Sequence, residues 1–215
     1  SADGGATWQE FQNEIRNRWV NDLELVPGNP DILYVATWEG LYRSTDRGQT
    51  WNHVGGDGLY RNDIKSIVVD PEDPNTLIVG TGDGVFRSQN GGASWSAVNE
   101  GLENRNIQYL EIAPNDEGEN LVWIGTGSGV YRSGNTGATW SPSGLQGKEV
   151  LALLWHESGM LYAGTGRSSG AETLWGSADA GDSWSPLNSP GLPDKSVNAL
   201  LYSDHLYAGT AATGV

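Results

Sequence analysis

One eight-residue motif returns five times along this chain: SADGGATW from Ser1, STDRGQTW from Ser44, SQNGGASW from Ser88, SGNTGATW from Ser133 and SADAGDSW from Ser177. Successive starts lie 43, 44, 45 and 44 residues apart. A unit of that length cannot bury its own apolar face, so neighbouring units must stack to make a continuous core. The repeat therefore excludes most folds before any single residue is weighed.

The stretches between motifs align as well. VNDLEL from Val20, IKSIVV from Ile64, IQYLEI from Ile107, VLALLW from Val150 and VNALLY from Val197 superimpose without gaps, apolar at their first, fourth and sixth positions. Next come ILYVAT, TLIVGT, LVWIGT, MLYAGT and HLYAGT, short runs rich in β-branched and aromatic residues. GLYRS, GVFRS, GVYRS and the divergent TLWGS then lead into the motif. With the residues that follow the motif, each unit supplies four strands, and no segment carries a convincing helical period. Four strands per unit of about 40 to 50 residues predict the blades of an all-β propeller.

The motif itself has a physical logic. Asp3, Asp46, Asn90, Asn135 and Asp179 share one position, where a short acceptor can cap backbone N–H groups of a tight turn. Gly5, Gly48, Gly92, Gly137 and Gly181 follow two residues later and supply a positive φ at little cost. Trp8, Trp51, Trp95, Trp140 and Trp184 close the motif and would bury their rings between units. A calcium site is the sharper alternative for the acid, but two of the five copies carry Asn there. A turn cap tolerates that exchange and a metal site does not.

This Ser-x-Asp-x-Gly-x-Thr/Ser-Trp pattern resembles the Asp-box, or BNR, repeat of β-propellers, and the resemblance runs over the whole chain. The superfamily includes sialidases, xyloglucanases, photosystem II assembly factor-like proteins and sortilin-type receptors. It implies a propeller whose Asp boxes sit on the bottom face, and suggests an exported or periplasmic protein. Its members more often have six, seven or ten blades, whereas 215 residues hold five.

The ends suggest how five blades would close. Residues 1–11 hold a box and a following strand with no strands of their own before them, while 196–215 supply the first two strands of a fifth unit. Together they would complete one blade and remove an open sheet edge. The expectation is a single domain, 1–215, and a monomer; the alternatives are a fragment of a larger ring and assembly with other copies. Ser1 opens inside a repeat motif with no Met and no basic apolar stretch, as expected of a mature, trimmed or engineered form.

Composition bears on partners. Twelve basic against 27 acidic residues leave a net charge of -15, which disfavours nucleic acid and anionic membranes. The longest apolar run, Val150–Trp155, is far short of the ~18 residues of a membrane span. There is no Cys, hence no disulfide or thiolate metal site. His53, His156 and His205 are too scattered for a metal centre, and no cofactor is expected.

Candidate ligand-binding residues lie on the opposite, top face, where loops on a rigid scaffold carry function. Aligning the connections between units puts Arg18, Asn62, Arg105, Lys148 and Lys195 in one column, four of five basic. The next column begins with Trp19 and Asp63, and the connections after the second strands contribute Trp38, Asp83, Ser128 and an insertion within 167–173 that starts at Arg167. Trp19, Trp38 and Tyr60 fall outside the repeat pattern. Aromatic platforms with cations suit a sugar or an extended acidic ligand. Arg43, Arg87 and Arg132 recur at one strand position and read as structural.

Catalysis finds less support. Resemblance to sialidases would imply three carboxylate-gripping arginines, a Tyr–Glu nucleophile and an Asp acid/base, and that set does not map here. The Phe-Arg-Ile-Pro segment of sialidases is missing, since Phe86-Arg87-Ser88 belongs to the repeat. Xyloglucanases imply two catalytic carboxylates between two propellers, and this chain has room for one. The expected function is a non-catalytic binding module for a glycan or a protein partner. The alternatives are a one-domain glycoside hydrolase and a scaffold without a natural ligand.

Overall fold

The computed structural model describes residues 3–8, 15, 19–59, 63–115, 120–166, 172–187 and 195–210. Among them every regular element is a β-strand, and the strands make five blades in chain order. Blade 1 is β1 (Val20–Leu25), β2 (Leu33–Thr37), β3 (Gly40–Ser44) and β4 (Asn52–His53). Blade 2 is β5 (Ile64–Val69), β6 (Leu77–Thr81), β7 (Gly84–Ser88) and β8 (Ser96–Ala97). Blade 3 is β9 (Ile107–Ala113), β10 (Leu121–Thr126), β11 (Gly129–Ser133) and β12 (Ser141–Pro142). Blade 4 is β13 (Val150–Trp155), β14 (Leu161–Thr165), β15 (Leu174–Ser177) and β16 (Ser185–Pro186). Blade 5 shows β17 (Val197–Tyr202) and β18 (Leu206–Thr210). Each is an antiparallel meander, four-stranded in blades 1 to 4 and two-stranded among the described residues of blade 5. This is the five-bladed β-propeller that the repeat predicts.

Alternation along the strands decides what each blade turns to its neighbours. One face meets the preceding blade and the other the following blade. Ile64, Ile67, Val69, Leu77, Val79 and Phe86 of blade 2 pack with Trp95 on Tyr34, Ala36 and Leu41 of blade 1. Val68, Ile78 and Val85 on the other face of blade 2 pack on Ile107, Leu110, Val122 and Trp140 of blade 3. Fully burying a side chain of this size contributes roughly 1.5 to 3 kcal/mol, so consecutive blades are held together through their seams.

Polar staples cross the same seams. Asp22 Oδ2 accepts from Ser66 Oγ at 2.8 Å and from the Ile67 N–H at 3.0 Å, and Ser66 Oγ accepts the Leu110 N–H at 3.1 Å. Glu111 accepts the Trp155 N–H at 2.9 Å. Arg132 reaches the Ala180 carbonyl at 3.1 Å and Asp182 at 2.9 Å, a structural task between blades 3 and 4.

The boxes are hydrogen-bonded turns. In box 2, Ser44 Oγ accepts the Gly48 N–H at 2.8 Å, and Asp46 accepts the Thr50 N–H at 2.8 Å and its hydroxyl at 2.6 Å. Where Asn replaces Asp the last bond reverses: Asn90 Nδ2 donates to Ser94 Oγ at 2.8 Å and Asn135 Nδ2 to Thr139 Oγ1 at 2.9 Å. Hydroxyl and amide can each play either part, which is why the exchange is tolerated. Gly137 sits at φ 76°, and an added Cβ would lie 2.7 Å from Ile78 Cδ1, so conformation and packing both require glycine. Indole N–H groups finish the lock: Trp140 donates to the Val98 carbonyl at 2.9 Å and Trp184 to that of Ser143 at 2.7 Å, each in the preceding blade.

Box 1 differs. Asp3 caps Thr7 as its counterparts do, but Trp8 is 81% exposed where Trp95 is 5% exposed. The strand expected after this box lies within 9–14, and the partner strand expected after β18 within 211–215. Both segments lie outside the described residues.

Candidate functional site

Every inner strand is irregular at the same place. The pairing register shifts between Val20 and Asp22, Ile64 and Ser66, Val150 and Ala152, and Val197 and Ala199, and between the equivalent partners of Ile107 and Tyr109. The extra residue is Asn21, Lys65, Gln108, Leu151 or Asn198, the second of its strand. A β-bulge re-aims its side chain out of the alternating pattern. Here all five turn into one cavity of about 590 Å³, whose remaining lining residues are Trp38, Asp63 and Tyr109.

Beside this chamber stands an aromatic pair. Trp19 and Trp38 are 70% and 60% exposed, with ring centroids 6.0 Å apart and planes tilted by 34°. The Trp38 N–H bonds the Trp19 carbonyl at 3.3 Å, and its indole N–H bonds Asn21 Oδ1 at 3.1 Å. Asn21 Nδ2 donates to the Ile64 carbonyl at 2.7 Å, which fixes the platform to blade 2. The Trp38 indole is thus held at its edge while both rings stay largely exposed.

Lys65 is the cation of the chamber. Its ammonium donates to Asn106 Oδ1 at 2.7 Å and Gln108 Oε1 at 3.3 Å. Burial pulls its pKa below the ordinary lysine value, and Asp63 and Glu149 push back. With two carboxylates this close, the chamber carries little net positive field.

A second cavity of about 220 Å³ shares Tyr109 with the first and is lined by Asp22, Glu24 and Glu111. Burial, reinforced by Asp22, raises Glu24 to about 7 against a stabilising bond from the Val69 N–H. Burial likewise raises Glu111 to about 8, opposed by the Trp155 N–H and helped by Glu24 and Asp22. Tyr109 is pushed up by burial and by the same carboxylates. No group of His, Cys, Asp or Glu suited to a metal ion occurs among the described residues.

Of the residues singled out in the sequence, Trp38 and Asp63 line the chamber and Trp19 stacks beside it. Arg105 and Lys195 are exposed and Lys148 lies over the Trp175 ring at 4.7 Å; none of the three lines the cavity. Arg18, Tyr60 and Arg167 lie outside the described residues. The bulge residues escaped sequence reasoning, although the second position of each inner strand reads Asn, Lys, Gln, Leu and Asn, mostly polar and outside the apolar pattern.

Repeated boxes and antiparallel four-stranded blades give this chain the fold of a β-propeller with Asp-box-like turns. The BNR/Asp-box repeat family model matches residues 42–53, the second box and its flanking strands. The fold is similar to that of the GH74 xyloglucanase from Xanthomonas campestris, at 19% identity and a TM-score of 0.68 over 84% of this chain and 33% of that one. It is similar to YCF48 from Cyanidioschyzon merolae, at 16% identity and a TM-score of 0.66 over 98% and 73%. An extracellular domain from B. thetaiotaomicron gives 18% identity and a TM-score of 0.72 over 94% and 27%. The chain spans about a third or less of the GH74 enzymes' length. No curated protein matches it in sequence. At these identities the likeness shows the fold.

Proposed function

We propose that this propeller is a non-catalytic binding module that takes a neutral glycan chain in its top-face chamber. The observation that carries this is the convergence of five bulge residues on one cavity beside two open tryptophan faces. Indole faces stack on the C–H faces of sugar rings. Amide side chains such as Asn198 and Gln108 offer donors and acceptors to hydroxyl groups. Opposed charges at Lys65, Asp63 and Glu149 favour a neutral over an acidic ligand. Among the described residues Asp63 is the one carboxylate lining the upper chamber, whereas glycoside hydrolysis ordinarily needs a pair.

Isothermal titration with cellohexaose and hexagalacturonate tests the proposal. The neutral oligosaccharide should bind without turnover, and Trp38→Ala should weaken it at least tenfold with little change in melting temperature, because the ring is largely exposed. Hydrolysis of the probe, tighter binding of the acidic one, or unchanged affinity in Trp38→Ala would each overturn it. So would a preference for peptides over both sugars.

A further inference from the structure

The strand arginines of this propeller occupy equivalent places but do not share one fate. Arg43, Arg87 and Arg132 stand at the same position of β3, β7 and β11. Arg132 is tied to Asp182 and to the Ala180 carbonyl in the next blade's box, and Arg43 lies over the Tyr34 ring at 5.9 Å. Arg87 has neither support. Its cross-strand neighbour is Ile78 where blade 1 has Tyr34, and box 4 carries Ala138 where box 5 carries Asp182. Among the described residues its guanidinium makes no hydrogen bond or ion pair, and its Nε is buried without a partner. Burial leaves the Arg43 Nε equally unpaired, but that guanidinium has a ring to rest on. Asp73 is held low chiefly by its bonds from Thr76 and Asn75, and less by the Arg87 charge, without an ion pair between them.

The box beside Arg87 is altered in a matching way. Arg87 lines a cavity of about 330 Å³ with Gln89, Asn90, Ser94, Ser96 and Val98, and no carboxylate lines it. In box 2, the Thr50 hydroxyl donates its proton to Asp46 Oδ2 at 2.6 Å. In box 3 the bond runs the other way, from Asn90 Nδ2 to Ser94 Oγ at 2.8 Å. The Ser94 hydroxyl therefore keeps its own proton for a further acceptor. Box 4 shares this reversal, but Arg132 beside it is already engaged. Among the described residues only blade 2 joins an unpaired strand arginine to a box without charge.

We propose that this pocket binds a tetrahedral oxyanion, a sulfate or phosphate group, between the Arg87 guanidinium and the Ser94 hydroxyl. Hydrogen bonds from a guanidinium to such a group are charge-assisted, and its planar fork matches two of the oxygens. Ser96 and Gln89 add a second hydroxyl and an amide. Together these donors outnumber what the two oxygens of a carboxylate take up at once, which favours a group with more acceptor oxygens. With a net charge of -15, the chain does not draw anions in from afar, so close contacts hold the ligand. The site lies beside a box, apart from the top-face chamber, and does not depend on the glycan reading.

NMR titration tests this, following the Arg87 Nε–H and Gln89 side-chain amide signals. Sodium sulfate, phosphate and acetate each replace chloride at constant ionic strength. Sulfate and phosphate should move the signals saturably and acetate more weakly, and the tighter of the first two shows which ester the site takes. Two variants borrow residues that sister repeats already carry, so the fold should hold. Asn90→Asp puts a charge in box 3 and reclaims the Ser94 proton, as in box 2; Ala138→Asp gives Arg87 the partner that Arg132 has. Each should weaken sulfate binding roughly tenfold with little change in Tm. Shifts that do not saturate, acetate bound as tightly as sulfate, or unchanged affinity in either variant would overturn the proposal.

Discussion

Two tryptophans at the same position of the same motif should respond oppositely to truncation. Trp95 is 5% exposed and packs in the seam between blades 1 and 2, with its indole N–H on the Gly92 carbonyl at 3.1 Å. Removing it leaves a cavity and an unpaired carbonyl, so Trp95→Ala should cost roughly 3 to 5 kcal/mol. For a chain of this size that is a fall of roughly 6 to 20 °C in Tm. Trp8 is 81% exposed, and Trp8→Ala should stay within about 0.5 kcal/mol. Urea unfolding monitored by far-UV circular dichroism at low protein concentration gives both values, with an unchanged slope confirming that the midpoint shift reports stability. Equal losses would refute the reasoning, because they would mean that the motif and not its burial sets the energy.

Stability should also depend on pH in an uncommon direction. Glu24 and Glu111 are raised from 4.5 to about 7 and about 8, so their contribution is complete below pH ~4.5 and is lost as pH rises through ~7 to 8. Chemical denaturation at pH 5.5 and 8.5 should differ by about 2 to 5 kcal/mol, and Glu111→Gln should remove much of that difference. The box acids act oppositely: Asp46 is held low by its bonds from Thr50, and Asp179 at about 2 by those from Ser183. Their support is present above the ordinary carboxylate range and fades below it. Asp46→Asn should hardly move the melting temperature, Asp46→Ala should lower it, and neither should make it depend on calcium; a calcium-dependent shift abolished by Asp46→Asn would contradict turn capping.

The period made the blades legible before any coordinates. Strands β1, β5, β9, β13 and β17 begin where the aligned segments place them, because a seam buried on both sides demands the same alternation in every copy. The Asp–Asn exchange also told truly, since a cap depends on hydrogen-bond geometry and not on charge. The chamber was harder to see. A bulge is one residue of backbone irregularity, with no composition of its own, so Lys65 and Asn198 read as ordinary strand residues. For Lys148, alignment gives the column but not the rotamer, and the ammonium turns onto the Trp175 face. Trp19 and Trp38 were visible because they break the repeat.

Ten tryptophans make the location of ligand directly measurable. In ¹H–¹⁵N spectra recorded during titration with cellohexaose, the indole signals of Trp19 and Trp38 should move progressively, together with the side-chain amides of Gln108 and Asn198. Signals from Trp51, Trp95 and Trp140, buried in the boxes on the other face, and from the half-buried Trp184 should stay in place. Movement of the box indoles, or of the Arg105, Lys148 and Lys195 amides without Trp19 and Trp38, would contradict a glycan site built on the ring of bulges.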